Sequence, residues 1–205
     1  MILQSTAVIF DVGNVLIRWD IRRLYRQLLS DDAAIDGFLR EVDWFAWNLE
    51  LDRGGRWDER VAELSARFPH HRALIEAAHH RWHDAVAGEI EGTVEILAAL
   101  RAARTPLYAI TNFSSEKWVE VRERFGFLAE SFRDVVVSAH ERLIKPDPAI
   151  YRVCLERNGL APRDCIFIDD SPRNVAAADA LGIEGVLFTD PETLRRDLSE
   201  RGLPL

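Results

Sequence analysis

Hydrophobic patterning divides the chain into three regions. Ala7-Val8-Ile9-Phe10 is a continuous apolar run that stops at Asp11 and the turn-forming pair Gly13-Asn14. Such a run reads as a strand buried on both faces, with a carboxylate at its carboxyl end. A short flap follows, from Val15 to Trp19. The period then becomes helical: Ile21, Leu24, Tyr25 and Leu28, then Ile35, Phe38, Leu39 and Val42, each fall on one helix face. Asp52-Arg53-Gly54-Gly55 is a turn. Val61, Leu64 and Phe68 resume the pattern, Pro69 interrupts it, and Leu74, Ile75, Ala78 and Trp82 carry a fourth helix. No strand pattern occurs between about Ile21 and Ala87, so this stretch is expected to be a separate four-helix bundle.

From Gly92 onward helices and strands alternate. Leu107–Ile110 is a strand ending in Thr111-Asn112, Val135–Val137 another, and Cys165–Ile168 a third ending in Asp169-Asp170, with Gly185–Phe188 as the last. Ser114, Asp147 with Pro148, Ser171 with Pro172, and Asp190 with Pro191 are helix-start signals between them. Alternation of apolar strands with helices predicts an α/β fold: a Rossmann-like parallel sheet sandwiched by helices. Residues 1–18 and 88–205 would form this core, and residues 19–87 the inserted bundle.

Composition narrows the function classes. A formal net charge of −8 argues against nucleic acid or an anionic membrane as partner. No apolar run near 18 residues and no basic-then-apolar leader are seen, so a cytoplasmic protein is expected. Cys154 and Cys165 fall in predicted core elements and read as reduced packing residues. The patterning does not decide between a monomer and a homodimer.

Four polar clusters lie at strand ends, where open α/β sheets bind ligands. Asp11, Asp169 and Asp170 can converge there, and like charges brought together call for a cation. An all-oxygen set with open positions suits Mg²⁺. The plain alternative is that one of the paired acids caps the helix after Ser171, but Ser171 is itself able to cap. Thr111-Asn112 offers a hydroxyl and backbone N–H groups beside a helix start, a site for an anion. Lys145 precedes a helix N-terminus, where a cation is disfavoured. Of 26 basic residues only Lys117 and Lys145 are lysine, so its placement is not the chain's habit. A compact cation suits a crowded site that holds a phosphate and a carboxylate. Lys117 carries no such argument and is expected in solvent.

The ordered set Asp11-Val12-Gly13-Asn14-Val15, Thr111-Asn112, Lys145-Pro146-Asp147-Pro148 and Ile168-Asp169-Asp170-Ser171 resembles the four motifs of the haloacid dehalogenase (HAD) superfamily. The resemblance runs from about Val8 to Phe188. It is strongest to small bacterial sugar-phosphate phosphatases and to the phosphatase domain of soluble epoxide hydrolase. It implies a helical cap of the first type and a Mg²⁺-dependent phosphatase acting on a small phosphorylated metabolite. Asp11 would be the nucleophile, and Asp11, the Gly13 carbonyl and Asp170 the metal ligands. Asp169 and Asn174 would stand behind them, Thr111 and Asn112 would bind the phosphoryl group, and Lys145 would offset charge.

Two positions depart from the family pattern. Phosphatases of the family carry an aspartate two residues after the nucleophile, as acid and base; here that residue is Gly13. A glycine is also usual where Arg142 falls. Three explanations for Gly13 stay open: a better leaving group, a proton from the cap or from water, or a different reaction. For the second, His70, His71, His79, His80 and His83 compete with their plain reading as a solvated helix face. The different reaction would be a metal-independent 2-haloacid dehalogenase, in which Asp11 attacks carbon, or a weakened phosphate-binding protein. Trp44, Phe45, Trp47 and Trp57 read as bundle core or substrate pocket.

Overall fold

The computed structural model describes residues 6–205. Its first strand, β1 (Ala7–Phe10), is buried throughout. The chain continues through β2 (Ile17–Trp19) into α1 (Ile21–Tyr25), α2 (Asp32–Glu41), α3 (Trp44–Asp52), α4 (Trp57–Arg67) and α5 (Arg72–His80), and returns by β3 (Val86–Glu89). Then come α6 (Glu91–Ala102), β4 (Leu107–Thr111), α7 (Ser115–Arg124), α8 (Phe127–Glu130), β5 (Asp134–Val137), α9 (Ser138–Glu141) and α10 (Pro148–Asn158). The chain closes with β6 (Cys165–Asp169), α11 (Pro172–Asp179), β7 (Glu184–Leu187) and α12 (Pro191–Glu200).

The main sheet has the order β5-β4-β1-β6-β7, and every adjacent pair is parallel. Strand order reverses at β1: the chain builds outward through β4 and β5, then crosses to β6 and β7 on the other side. A crevice therefore opens at the carboxyl end of β1, where ligands of such sheets bind. Although β1 reads as an unbroken apolar run, its residues still alternate between faces. Val8 and Phe10 join a core with α6, α7 and α12, while Ala7 and Ile9 join a second core with α10. Cys154 and Cys165 are both free and buried in that second core. No helix among the described residues is long and apolar enough to cross a membrane.

Two features differ from the sequence reading. The inserted segment holds five α-helices rather than four, because α3 carries Trp44, Phe45, Trp47, Leu49 and Leu51 around its whole circumference and shows no apolar face. In addition, β2 and β3 pair antiparallel as a small ribbon of their own. Both strands are short and each buries only its first residue, so neither presents a buried alternation.

Close packing of α11 on β7 depends on Gly185. A Cβ there would lie 2.6 Å from Val175 Cγ1 and 2.8 Å from Asp179 Oδ1, the oxygen that accepts the Gly185 N–H at 2.8 Å. Gly185→Ala is expected to cost about 1–3 kcal/mol, read as a lower urea midpoint with an unchanged slope.

Candidate active site

Strand register brings the acids together. Phe10 stands opposite Ile168, so Asp11 and Asp169 follow side by side, and the Asp11 N–H donates to the Ile168 carbonyl at 2.8 Å. Lys145, from the loop before α10, enters between them. Its Nζ lies 2.8 Å from Asp11 Oδ1 and 2.7 Å from Asp169 Oδ2. Asp11, Lys145 and Asp169 are 8%, 3% and 0% exposed, which makes this a buried triad rather than a surface ion pair. Asp170 is exposed, and its carboxylate, with those of Asp11 and Asp169, offers oxygens all within 4.8 Å of one another.

The neighbours of the triad fix its geometry. Asp169 Oδ1 accepts from the Ser171 N–H at 2.8 Å, and Asn174 Nδ2 reaches both Asp169 oxygens at 2.9 and 3.1 Å. With Lys145 added, both oxygens of Asp169 are occupied by protein donors. On Asp11, Oδ1 takes Lys145 and the Val12 N–H, the latter at 2.7 Å. Oδ2 is thus the oxygen with no protein donor among the described residues. Asn112 clamps the lysine loop: its Oδ1 accepts the Lys145 N–H at 2.8 Å, and its Nδ2 donates to the Lys145 carbonyl at 3.1 Å. The Asn112 side chain is therefore spent on the protein, which leaves its main chain to face a ligand. Thr111 is buried at the end of β4 beside it.

Electrostatics follow from this burial. Burial raises the Asp11 carboxyl to about 7, against the pull of Lys145 and with the repulsion of Asp169 added. Burial alone would lower the Lys145 ammonium, but the two carboxylates outweigh it and hold it above its usual range. Burial also raises Asp170, with Asp169 adding to the effect and Lys145 and Asn14 opposing it. Two buried carboxylates share one ammonium here, so negative charge is left over beside a third acid. Hard oxygen ligands with surplus negative charge fit a divalent cation such as Mg²⁺.

Gly13 sits at the edge of this group, and a Cβ there would meet no atom within 4 Å. The missing family aspartate is thus not excluded by crowding. Arg142 has φ 57°, a left-handed conformation that glycine adopts without cost, which explains the usual residue at that position.

Gly13 and Asn112, next to the site, also line a cavity of about 100 Å³ together with Trp19, Asp52, Trp57 and Lys117. Several residues here differ from the sequence reading. Lys117 is buried, its Nζ held by Glu120 Oε1 at 2.8 Å and the His79 carbonyl at 3.0 Å, over the ring of Trp57. Ser114 does not cap α7; its Oγ accepts the Trp57 indole N–H at 2.8 Å. Ser171 likewise makes no side-chain cap. Trp57 lines the cavity, Trp44 is bundle core and Phe45 is exposed. Asp52 was legible only as part of a turn, since nothing local marks its carboxyl.

The histidines divide. His79 is half-buried and stacks on Trp57 at 5.2 Å between centroids, so it is not a solvated residue. His70 and His71 bind one carboxylate, Glu41, at 2.9 and 3.0 Å on the exposed side of the bundle.

Residues 6–182 match the haloacid dehalogenase-like hydrolase family, and the chain belongs to it. It is therefore a hydrolase of HAD type. It is 26% identical to mouse acyl-CoA dehydrogenase family member 10 over 97% of its own length, but spans only 19% of that protein. A phosphorylated carbohydrates phosphatase of Thermotoga maritima is 31% identical, covering 88% of this chain and 83% of that one. Among solved structures, a HAD family enzyme from Bacteroides thetaiotaomicron in complex with magnesium and inorganic phosphate superposes with a TM-score of 0.70. It is 22% identical, with 91% and 95% of the two chains covered. Solved dehalogenases share the fold at TM-scores of 0.67 and 0.68.

Breaking the triad should unfold rather than trim the site. Lys145→Met leaves two adjacent buried carboxylates without their cation and is expected to cost roughly 3–5 kcal/mol, measured by urea unfolding in EDTA.

Proposed function

We propose that the chain is a Mg²⁺-dependent phosphatase of small phosphorylated metabolites, with residues 1–18 and 88–205 as its core and 19–87 as the cap. The observation that carries this reading is the buried Asp11–Lys145–Asp169 triad with Asp170 beside it. Three carboxylates against one ammonium suit a dication and a phosphate dianion held together. The Thermotoga relative, named for phosphorylated carbohydrates, supports the substrate class, and the magnesium and phosphate of the Bacteroides enzyme support the cofactor.

Asp11 attacks phosphorus through Oδ2, the oxygen left free, and so forms an aspartyl-phosphate. Asp11, the Gly13 carbonyl and Asp170 would hold the metal, with Asp169 and Asn174 behind them. The Asp169 oxygens, filled by Lys145, Asn174 and Ser171, suit that supporting place. The bound ion would neutralise phosphate oxygens during in-line transfer. Thr111 and the main chain of Asn112 bind the phosphoryl group, and Lys145 keeps Asp11 from being repelled by it. The cap covers the site and excludes water.

A dehalogenase attacking carbon with Asp11 needs no dication, and the charge left by Asp170 would then be unbalanced. A binding protein without turnover is separated from an enzyme by assay. Wild type should hydrolyse p-nitrophenyl phosphate with Mg²⁺ and lose that activity in EDTA. Asp11→Asn should lower it by more than about 10³-fold, the scale on which a nucleophile is lost. Chloride release from a 2-chloro acid in EDTA would favour the dehalogenase instead.

A further inference from the structure

The cavity lined by Gly13 and Asn112 presents an acid, Asp52, that the family motifs do not contain. We propose that Asp52, from the cap, supplies the proton that the missing aspartate at Gly13 would otherwise supply. This rests on the phosphatase reading and assigns the acid and base within it.

Three observations place Asp52 there. First, Asp52 lines the same cavity as Gly13 and Asn112, the residues that follow the nucleophile and the phosphoryl-binding Thr111 in the chain. Second, the core holds Asp52 in place although it belongs to the cap. Its carbonyl accepts from Ser138 Oγ at 2.7 Å, and the same hydroxyl accepts the Phe113 N–H at 2.8 Å. Gly54 permits this approach: it has φ +100°, and a Cβ there would lie 2.9 Å from the Ala139 carbonyl oxygen. The end of α3 is thus fastened to α9 and, through Ser138, to the loop that follows β4.

Third, the chemistry of its surroundings selects it. The cavity contains one other titratable side chain, Lys117, and its ammonium is already held by Glu120 and the His79 carbonyl. The charged groups at the strand ends, Asp11, Lys145 and Asp169, hold one another, and Asp170 stands beside them. Asp52 Oδ2 accepts from Asn48 Nδ2 at 3.1 Å, and the Ser114 N–H also faces the carboxyl. An ionised carboxylate beside an anion site repels phosphate, whereas a protonated one donates to it. Burial raises the Asp52 carboxyl to about 7 against the pull of the Ser114 N–H, which favours its acid form.

In the first step Asp11 forms a bond to phosphorus, the ester P–O bond breaks, and the Asp52 proton passes to the departing oxygen to give an alcohol. In the second, Asp52 carboxylate takes a proton from water as the water oxygen bonds to phosphorus. The P–O bond to Asp11 then breaks, and inorganic phosphate leaves. Asp52 ends protonated, and the sum is ester plus water to alcohol plus phosphate.

The test compares leaving groups. For glycerol 2-phosphate, whose alkoxide leaves poorly, Asp52→Asn should lower kcat/KM by about 10²–10⁴-fold. The loss for p-nitrophenyl phosphate should be at least tenfold smaller, because its phenolate departs without a proton. Unaltered activity, or equal losses on both esters, overturns the assignment and leaves the phosphatase reading standing. Hydrolysis of neither ester by wild-type protein, with Mg²⁺ present, overturns both. A second measurement needs no variant. In wild type, activity on glycerol 2-phosphate should fall as pH rises and the acid form is lost, and this alkaline limb should be weaker with p-nitrophenyl phosphate. Profiles indifferent to the leaving group overturn the assignment.

Discussion

A single ammonium group, that of Lys145, holds two carboxylates that the sheet forces together. Parallel pairing of β1 with β6 sets Asp11 beside Asp169 whether or not their charges agree, and burial denies both the solvation that would separate them. Everything around the pair serves that arrangement. Asn112 reaches across 33 residues to grip the lysine's own peptide groups, and Asn174 with the Ser171 N–H saturates Asp169. The lysine is thus fixed at its backbone by one strand end and at its tip by two others.

The use of cations follows the same logic. The chain has 24 arginines and two lysines, and among the described residues both lysines are buried while no arginine is. A guanidinium needs a flat fork of acceptors, whereas an ammonium can be enclosed by groups converging from several directions. Lys145 is enclosed by two acids, Lys117 by an acid, a carbonyl and an indole face. Rarity in the sequence was therefore a signal of burial for both, although only Lys145 was legible in that way. The second was misread because the packing of α7 against the cap is decided by residues 38 to 57 positions away.

The core was legible because its strands announce themselves: three or four apolar residues, then a polar stop. The residues at those stops are the ones that meet, since parallel strands bring their carboxyl ends to one edge. What escaped the sequence was settled by tertiary contact. Helix α3 hid because its aromatic residues point all ways, one into the bundle and another into solvent. Asp52 hid because an acid in a turn is ordinary until a cavity closes over it. Ser114 and Ser171 looked like caps, but a neighbouring indole and an aspartate offered the hydroxyl of one and the amide of the other different partners.

The β2–β3 ribbon has a bearing on how the cap is carried. The chain leaves the core and re-enters it through two segments hydrogen-bonded to each other, with Ile17 opposite Glu89 and Trp19 opposite Val86. Two independent tethers would let the cap twist and slide; a paired ribbon resists shear between its strands and yields more readily by bending across its thin direction. The crossing is therefore held as a pair and not as two separate strands, and the register break between Arg18 and Trp19 adds local twist to it.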